Sequence, residues 1–370
     1  MEAQGDIGLK RTPLEPEHRA LGAKIGMFAG WAMPIEYRGT LAEHRAVRER
    51  AGLFDLMHLG KVTLDGPGAF DVLQRTVTND LRKVAVGGAQ YNNVCNDRGG
   101  IVDDVIVYRL GEDRWYTVPN AANTQKVHRT LLDQAGGAEA EIALHEDWCF
   151  LAVQGPRSPD VVGALFPEAA GLQYMHVVEA GFGGERVILS RSGYTGEVGF
   201  ELFPPEGVVH DLWAALVAAG EPHGLEPVGL AARDTLRLEM GYPLHGQDIS
   251  EERTPLEAGL SWAVAMDKGE FLGRDALARQ KEDGIPARLW GLDMEGKLIP
   301  RAHYPVSADG ERIGEVTSGT FSPTLRRGIA LAYLAPRDRF SAGDWVEVDV
   351  RGRRAEAVVT KAPFVDRSPR

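Results

Sequence analysis

Two adjacent carboxylates inside a run of β-branched residues are the first feature of this sequence that could do chemistry. Asp103 and Asp104 lie in the stretch GGIVDDVIVYR, residues 99–109. Successive side chains of a strand point to opposite faces, so Asp103 shares one face with Val105 and Asp104 shares the other with Ile106. Both faces are otherwise apolar, which is typical of a strand covered on both sides. We therefore expect at least one carboxylate to point inward, as a turn cap after Gly99 and Gly100, as one half of a buried ion pair, or as a catalytic group.

A third carboxylate lies in another apolar strand. Glu201 stands between Phe200 and Leu202 in the stretch SRSGYTGEVGFEL. A carboxylate in such a strand needs a partner, because burying an unpaired charge is costly. One possible partner is a structural arginine, and Arg233 in the helical stretch LAARDTLRLE is the candidate. The other is a ligand with paired N–H donors, such as the amino group and ring N–H of a pteridine or a guanine.

Other isolated polar residues have structural interpretations. His58 lies between apolar residues in LMHLGK, which is typical of a core histidine with satisfied hydrogen bonds. Asn120 follows a strand in YTVPNAAN and is expected to cap the next turn. Cys95 and Cys149 lack zinc-ligand spacing and an adjacent His or Asp. We therefore expect no metal site, no cysteine nucleophile and a reduced, cytoplasmic protein.

The elements that must position these residues predict an α+β fold for most of the chain. Strands separated by the turns NDRGG and GED lie between helical segments, which favours mainly antiparallel sheets packed against helices in two domains. Helices are predicted for TLAEHRAVRERAGLFD, with a glycine stop at Gly52, and for ANTQKVHRTLLDQA, with Asn123 as its cap. Residues 1–15 are expected to form a loose arm.

The pattern changes after RQKEDGIPAR, residues 279–288, which we interpret as a charged linker. Short strands of alternating polarity follow, and they indicate a small C-terminal all-β domain, a barrel or a jelly roll. We expect residues 1–280 to form two intertwined α+β domains and residues 286–370 to form the β-barrel domain.

The composition excludes several classes of partner. The formal net charge is -12 and no long Lys/Arg run occurs, so we expect neither a nucleic-acid track nor an anionic membrane surface. No window approaches ~18 consecutive apolar residues, so no transmembrane span is expected. The polar N-terminal segment lacks the apolar core of a secretion signal. No Gly-rich dinucleotide motif or phosphate-binding loop is present, so nicotinamide and nucleotide triphosphate chemistry lack their usual anchors.

Taken in order, many stretches of the chain resemble one family. They include FAGWAMPIEYRG, EHRAVRERAGLFDL, RGGIVDDVIVYR, NAANTQK, SRSGYTGEVGFEL, GLAARDTLRLEMGYPLHGQDI, TPLEAGLSWAV and GEVTSGTFSPTL. These stretches are similar to the T proteins of the glycine cleavage system, which are tetrahydrofolate-dependent aminomethyltransferases. The resemblance runs from about Thr12 to Phe364.

The resemblance implies three domains around a central folate pocket and a specific reaction. An aminomethyl group on the lipoyl arm of H protein is transferred to tetrahydrofolate. The products are 5,10-methylenetetrahydrofolate, ammonia and dihydrolipoyl H protein. The family's key aspartate falls on Asp104, which makes Asp104 the expected catalytic residue and Asp103 a structural one. The expected folate contacts are Leu59, Tyr91, Asn120, Tyr194, Glu201 and Arg233.

This chain departs from the family pattern at two positions that bear on the reaction. In the stretch MHLG, Met57 replaces a serine and Leu59 replaces a methionine that normally contacts folate. The Met57 change keeps open a second function, a tetrahydrofolate-dependent demethylase acting on a small N-, S- or O-methyl donor. The C-terminal stretch FVDRSPR also lacks an aromatic that some members place near folate.

Two further alternatives concern what this scaffold does in other proteins. One is a folate-binding scaffold without transferase activity, whose members carry a cysteine where this chain reads KGEFLGRDA. The absence of that cysteine argues against this alternative. The other is a transferase domain cut from a larger oxidase, which without a dinucleotide-binding region would not oxidise its substrate by itself.

Overall fold

The computed structural model describes residues 8–370, which form four β-sheets and eight α-helices. The helices are α1 Glu15–Ala20, α2 Thr40–Glu49, α3 Ala69–Thr76, α4 Thr124–Ala135, α5 Ser158–Gly163, α6 Val209–Gly220, α7 Leu230–Glu239 and α8 Arg274–Asp283. The strands are β1 Lys10–Arg11, β2 Lys24–Phe28, β3 Trp31–Glu36, β4 Ala51–Asp55, β5 Val62–Asp65, β6 Ala89–Cys95, β7 Ile101–Arg109, β8 Arg114–Val118, β9 Glu141–Leu144, β10 Leu151–Gln154, β11 Val177–Phe182, β12 Glu185–Ser190, β13 Gly199–Phe203, β14 Leu225–Pro227, β15 Arg288–Met294, β16 Pro305–Ala308, β17 Glu311–Ser322, β18 Arg327–Leu334, β19 Trp345–Val350 and β20 Arg353–Thr360.

The five-stranded sheet carries the aspartate pair. Its order is β6-β7-β8-β5-β9 and all its neighbours are antiparallel. Helices α3 and α4 cover one face, where Val105 and Val107 of β7 pack in the same core as Val127 and Leu131 of α4. The predicted strand-turn-strand order of this region is confirmed.

The six-stranded sheet packs against the five-stranded sheet through aromatic side chains. Its order is β11-β12-β13-β10-β4-β14, antiparallel except for the β14–β4 pair. Tyr108 of β7 and Tyr116 of β8 meet Phe203 of β13, with ring centroids 5.9 and 5.0 Å away. This aromatic layer brings β7 and β13, which carry the predicted carboxylates, to face each other.

The predicted extent of the helix over residues 40–55 is wrong. Helix α2 ends at Glu49, and Gly52 lies in strand β4, paired with Gln154 of β10. A Cβ atom at residue 52 would lie 2.5 Å from Val47 and 2.6 Å from Val228. Gly52 therefore permits close packing of the strand and does not terminate the helix.

The C-terminal strands close into a barrel in the order β15-β18-β17-β16-β19-β20, which confirms the predicted all-β domain. Sequence analysis did not identify β16, Pro305–Ala308, which completes the barrel. The predicted linker 279–288 is wrong in its first half, because Arg274–Asp283 forms helix α8. Only residues 284–287 lie between α8 and the barrel strand β15.

The predicted loose arm covers residues 1–15, of which residues 1–7 lie outside the described part of the chain. For residues 8–15 the prediction is wrong. Strand β1 pairs in parallel with β3 in the three-stranded sheet β1-β3-β2. Thr12 donates a hydrogen bond to Asp55, and Leu14 is buried in the core of the six-stranded sheet. Across residues 8–370, no helix is long and apolar enough to cross a membrane.

Candidate functional site

A cavity of about 840 Å³ lies where the sheets meet the barrel. Strands β6, β7 and β13, helix α7 and the barrel strands β15 and β18 all contribute side chains to its wall. Every site residue proposed from the sequence lines this one cavity: Leu59, Tyr91, Asp104, Asn120, Tyr194, Glu201 and Arg233. The structure therefore brings them together, while their roles in binding and catalysis stay predictions.

Asp104 faces the cavity and Asp103 does not, as the resemblance to the family implies. The Tyr91 hydroxyl donates to its Oδ2 at 3.1 Å, and the Asn120 amide donates to its Oδ1 at 2.9 Å. Burial raises the pKa of the Asp104 carboxyl. Asp103 lies on the opposite face of the strand, is fully buried and does not line the cavity.

Asn120 and Asn123, which were expected to cap a turn and a helix, direct their side chains at other residues. The Asn120 amide donates to both aspartates, at 2.8 Å to Asp103 Oδ1 and 2.9 Å to Asp104 Oδ1. Asn123 occupies the N-cap position of α4, but its side chain makes no capping hydrogen bond and donates to Asp103 at 2.7 Å. It also lies 2.9 Å from Nδ1 of His245, a cavity residue that sequence analysis missed. The predicted side-chain cap at Asn123 is therefore wrong.

Glu201 has hydroxyl partners instead of a structural arginine. Its Oε2 accepts hydrogen bonds from Tyr108, at 3.2 Å, and from Ser192. Arg233 makes no ion pair with Glu201 within the described part of the chain, and its guanidinium lies 4.7 Å from the centroid of the Tyr194 ring. Burial raises the pKa of Glu201, while the charge of Arg233 acts in the opposite direction. The carboxylate and the guanidinium are therefore both free to meet a ligand.

His58 lines the cavity, and the expectation of a satisfied core histidine is wrong. Its side chain is buried, and its Nδ1 has no hydrogen-bond partner within residues 8–370. The ring packs edge-on against Phe28, with centroids 5.2 Å apart. Burial lowers the pKa of His58 to about 3, so the imidazole is neutral at physiological pH.

Aromatic residues that sequence analysis did not single out complete the wall. Phe28 comes from strand β2, and Trp262 follows the stretch TPLEAGLS. The Trp262 ring lies 5.3 Å from that of Tyr91 and is 64% exposed, which places it at the cavity mouth. Nothing in the local periodicity marks these residues, because Phe28 packs against His58 and Trp262 against Tyr91, both of which are distant in the chain.

Comparisons with known proteins cover nearly the whole chain. The family model for the GCVT N-terminal domain matches residues 14–268, and the family model for the glycine cleavage T-protein C-terminal barrel domain matches residues 288–366. This chain belongs to the glycine cleavage T-protein family. Sequence analysis had identified this family from its motifs, and the match confirms it.

Individual T-protein relatives are similar over the same span. An aminomethyltransferase from Frankia alni is 51% identical over 366 residues, covering 98% of this chain and 99% of the relative. One from Mycobacterium avium is 46% identical over 364 residues, covering 97% and 98%. The crystal structure of glycine cleavage system aminomethyltransferase T from Bartonella henselae has a TM-score of 0.90 at 36% identity, covering 97% of this chain and 99% of that one.

The departures from the T-protein motif have unequal structural consequences. Met57 is buried in the core of the six-stranded sheet and does not line the cavity. Leu59 does line it, and a leucine in place of a methionine conserves volume. Arg370, in the stretch that lacks the aromatic, also contributes to the wall. Met57 therefore contributes no side chain to the cavity wall.

The T-protein cavity combines one face suited to a polar, planar ligand with one carboxylate of raised proton affinity. Glu201 and Arg233 offer an acceptor and a cation, and aromatic rings contribute to the same wall. Among residues 8–370, no group of three or more His, Cys, Asp or Glu side chains could hold a metal ion. The arrangement can bind a heterocycle and handle a proton or a developing positive charge at Asp104.

Proposed function

We propose that this protein is the aminomethyltransferase of the glycine cleavage system. It transfers the one-carbon unit of aminomethyl-dihydrolipoyl H protein to tetrahydrofolate, which gives 5,10-methylenetetrahydrofolate and releases ammonia. The observation that carries the proposal is the single cavity in which Asp104, Glu201 and Arg233 meet. The aminomethyltransferase names of full-length relatives at about half identity support it.

The cavity fits tetrahydrofolate by its size and by its unused polar atoms. A volume of about 840 Å³ lies within the range of cofactor sites, roughly 300–1,000 Å³. Within residues 8–370 the hydroxyls of Tyr108 and Ser192 both donate to Glu201 Oε2, and no group donates to Oε1. That oxygen is available to a ligand N–H group. Arg233, which no carboxylate neutralises in the same residues, would attract an anionic part of the ligand.

The residues named above divide the work of binding. Glu201 would accept the amino and ring N–H donors of the pterin, as charge-assisted hydrogen bonds. Leu59 would cover a ring face. Tyr194 is itself fixed, because its hydroxyl donates to the Pro243 carbonyl at 2.5 Å and its ring lies under Arg233. Preorganised groups of this kind lower the entropy cost of binding.

When bound, tetrahydrofolate supplies the nucleophilic nitrogen that accepts the one-carbon unit. Asp104 stabilises the positive charge that develops on the transferred carbon and receives the proton that must leave. Tyr91 and Asn120 hold the two oxygens of Asp104, so the carboxylate does not need to reorganise during the reaction. The burial of Asp104 limits its contact with water, which strengthens these electrostatic interactions.

The donor requires a partner protein with a long arm. We propose that lipoylated H protein docks at the cavity mouth, near the exposed Trp262. We place the reaction in the cytoplasm, and we keep residues 1–280 and 286–370 as the two regions of the chain. Nucleic acid and membranes are not proposed as partners.

The donor is tested by steady-state assays with aminomethylated H protein and, in parallel, a panel of small N-, S- and O-methyl donors. Of the donors tested with tetrahydrofolate, we expect only aminomethylated H protein to give methylenetetrahydrofolate and ammonia. Turnover of a methyl donor without H protein would instead establish the demethylase alternative. The position of Met57 outside the cavity gives no support to that alternative.

A further inference from the structure

The two aspartates of β7 point to opposite faces of the strand, yet one amide joins them. Asn120 uses its side-chain nitrogen for both, donating at 2.8 Å to Asp103 Oδ1 and at 2.9 Å to Asp104 Oδ1. Its backbone N–H also donates to Asp103 Oδ2 at 2.9 Å. The two carboxyls are therefore held in one small polar network, and each hydrogen bond around Asp103 can be assigned a donor and an acceptor.

Like charges in a buried network resist simultaneous ionisation. Burial raises the pKa of both carboxyls, and the charge of Asp104 raises that of Asp103 further. Tyr91, Tyr194 and His245 are the other titratable side chains that interact with the pair. Two such carboxyls titrate as a unit that retains one proton well above the ordinary carboxyl range. The remaining question is which aspartate carries that proton.

Donor-only and acceptor-only groups fix the direction of the hydrogen bonds around Asp103. The Asn120 backbone N–H only donates, and it contacts Asp103 Oδ2. The Asn123 side-chain nitrogen also only donates, and it lies 2.7 Å from Asp103 Oδ1 and 2.9 Å from His245 Nδ1, so both atoms accept. On the other side of the imidazole the Ile101 carbonyl only accepts, and it lies 3.0 Å from His245 Nε2, so Nε2 donates.

Asp103 consequently accepts in each of the hydrogen bonds that the structure gives it. Its Oδ1 accepts from Asn120 and Asn123, and its Oδ2 accepts from the Asn120 backbone. A proton on Asp103 would point at a donor and find no acceptor. Asp104 differs, because its Oδ2 lies 3.1 Å from the Tyr91 hydroxyl, which donates or accepts by rotating.

We propose that Asp103 is a positioning residue that stays ionised, so that the proton retained by the aspartate pair resides on Asp104. Asn123 and His245 maintain this state by orienting the donors around Asp103. The location of the proton is a property of the ligand-free protein. Its use in the reaction rests on the proposed function, in which Asp104 first loses this proton to solvent and the fixed charge of Asp103 makes the resulting carboxylate a stronger base.

The location is tested by carbon NMR of the ligand-free protein labelled at the aspartate carboxyl carbons, with the two signals assigned from Asp104→Asn and Asp103→Asn. We expect the Asp104 signal to titrate with a raised midpoint and the Asp103 signal to stay at the carboxylate position throughout. In Asp103→Asn the Asp104 midpoint should fall by about one pH unit or more. An Asp103 signal that titrates with the raised midpoint, or an unchanged Asp104 midpoint in Asp103→Asn, would overturn the proposal.

Asn123→Ala provides a variant that keeps both carboxyls in case Asp103→Asn fails to fold. Loss of this donor should transfer part of the titration amplitude from Asp104 to Asp103, and an unchanged distribution would contradict the role of Asn123. Nitrogen NMR of His245 should show a protonated Nε2 and an unprotonated Nδ1, and the reverse tautomer would contradict the assigned directions. If these spectra agree but the acid limb of kcat does not move in Asp103→Asn, the catalytic use of the proton fails while its location stands.

Discussion

At the scale of single residues, Glu201 shows how a buried carboxylate can be both stable and available. Hydroxyls of Tyr108 and Ser192 satisfy one of its oxygens, so burial does not leave the whole group without partners. The other oxygen faces the cavity without a donor from the described part of the chain. This half-satisfied state is what a site for a ligand with N–H donors requires.

Replacing Glu201 by glutamine should weaken tetrahydrofolate binding by about tenfold or more. The variant loses a charge-assisted pair, worth roughly 1.5–3 kcal/mol, and places an N–H donor against the ligand's own donors. Isothermal titration calorimetry measures the effect. Glu206→Gln, at an exposed glutamate shortly after the same strand, is the control. Equal affinities in the two folded variants would exclude the pterin contact at Glu201.

His58 should make the protein less stable in acid. Its pKa is about 3 in the folded state, against an ordinary histidine pKa of 6.5, which we take for the unfolded chain. Between these values the unfolded chain binds a proton that the folded protein does not, so stability falls as the pH decreases from 6.5 towards 3. Urea unfolding across this range should show a flatter dependence for His58→Gln than for the wild type.

The exposed His176 gives the control for this comparison, because His176→Gln changes the same residue type away from the cavity. We expect His176→Gln to follow the wild-type dependence on pH. A His58→Gln curve that also runs parallel to the wild type would show that folding does not lower the pKa of His58 and would contradict the prediction.

Sequence analysis reached the face of each aspartate but not its partners. Alternation along one strand is a local property, so it placed the two aspartates on opposite faces, and the resemblance to the family selected Asp104 as the one in the pocket. The bonds of Asn123 to His245 join residues 122 positions apart, and the expectation of a simple cap failed for that reason. The environment of His58 was predicted wrongly because a short apolar sequence is the same whether it lines a cavity or packs in a core.

At the scale of elements, helix α7 links the cavity to the barrel. Arg233 faces the cavity near one end of the helix. Further along, the buried Arg237 donates to Asp248 at 2.7 Å and to Ser318 of β17 at 2.8 Å. Glu239 accepts hydrogen bonds from Arg48 of α2 at 2.8 Å and from Ser322 of β17 at 2.6 Å. The position of Arg233 therefore depends on buried polar contacts with two other elements.

Arg48→Met should destabilise the protein by roughly 3–5 kcal/mol, because it leaves buried carboxylates without their partner. Arg48 contacts Glu239 at 2.8 Å and Glu197 at 3.0 Å. Chemical denaturation measures the loss. Arg45→Met on the same helix is the control, since Arg45 is exposed and its nearest carboxylate is 3.9 Å away. If Arg48→Met lost no more stability than Arg45→Met, the ion pairs of Arg48 with Glu239 and Glu197 would not hold α2 to α7.

The elements that sequence analysis misplaced share a physical cause. The α2 pattern continued past Glu49 because β4 is apolar on both faces, so its residues also fit a helical spacing. The charged segment before the barrel was taken for a linker, although its first half forms the last turns of the polar helix α8. Strand β16 is only four residues long, and the barrel pairing that defines it is not local.

At the scale of the whole molecule, the cavity exists only because three sheets and a barrel converge. Its wall draws on residues from Phe28 to Arg370, so no single sheet contains the site. Periodicity predicted the α+β region and the all-β domain separately. Their arrangement around one pocket followed from the resemblance to the T-protein family, which the full-length structural match confirms. The division at 1–280 and 286–370 stays a prediction.

The central claim is that Asp104 in this cavity carries out the transfer to tetrahydrofolate. Its most direct test is the rate of methylenetetrahydrofolate formation by Asp104→Asn with saturating aminomethylated H protein and tetrahydrofolate. Asparagine keeps the shape of the side chain and removes its charge, so kcat should fall by roughly 10²–10⁴-fold, while tetrahydrofolate affinity changes much less. Asp338→Asn, at an aspartate that is 90% exposed on the barrel, should match the wild type. A folded Asp104→Asn enzyme with a kcat within tenfold of the wild type would contradict the account.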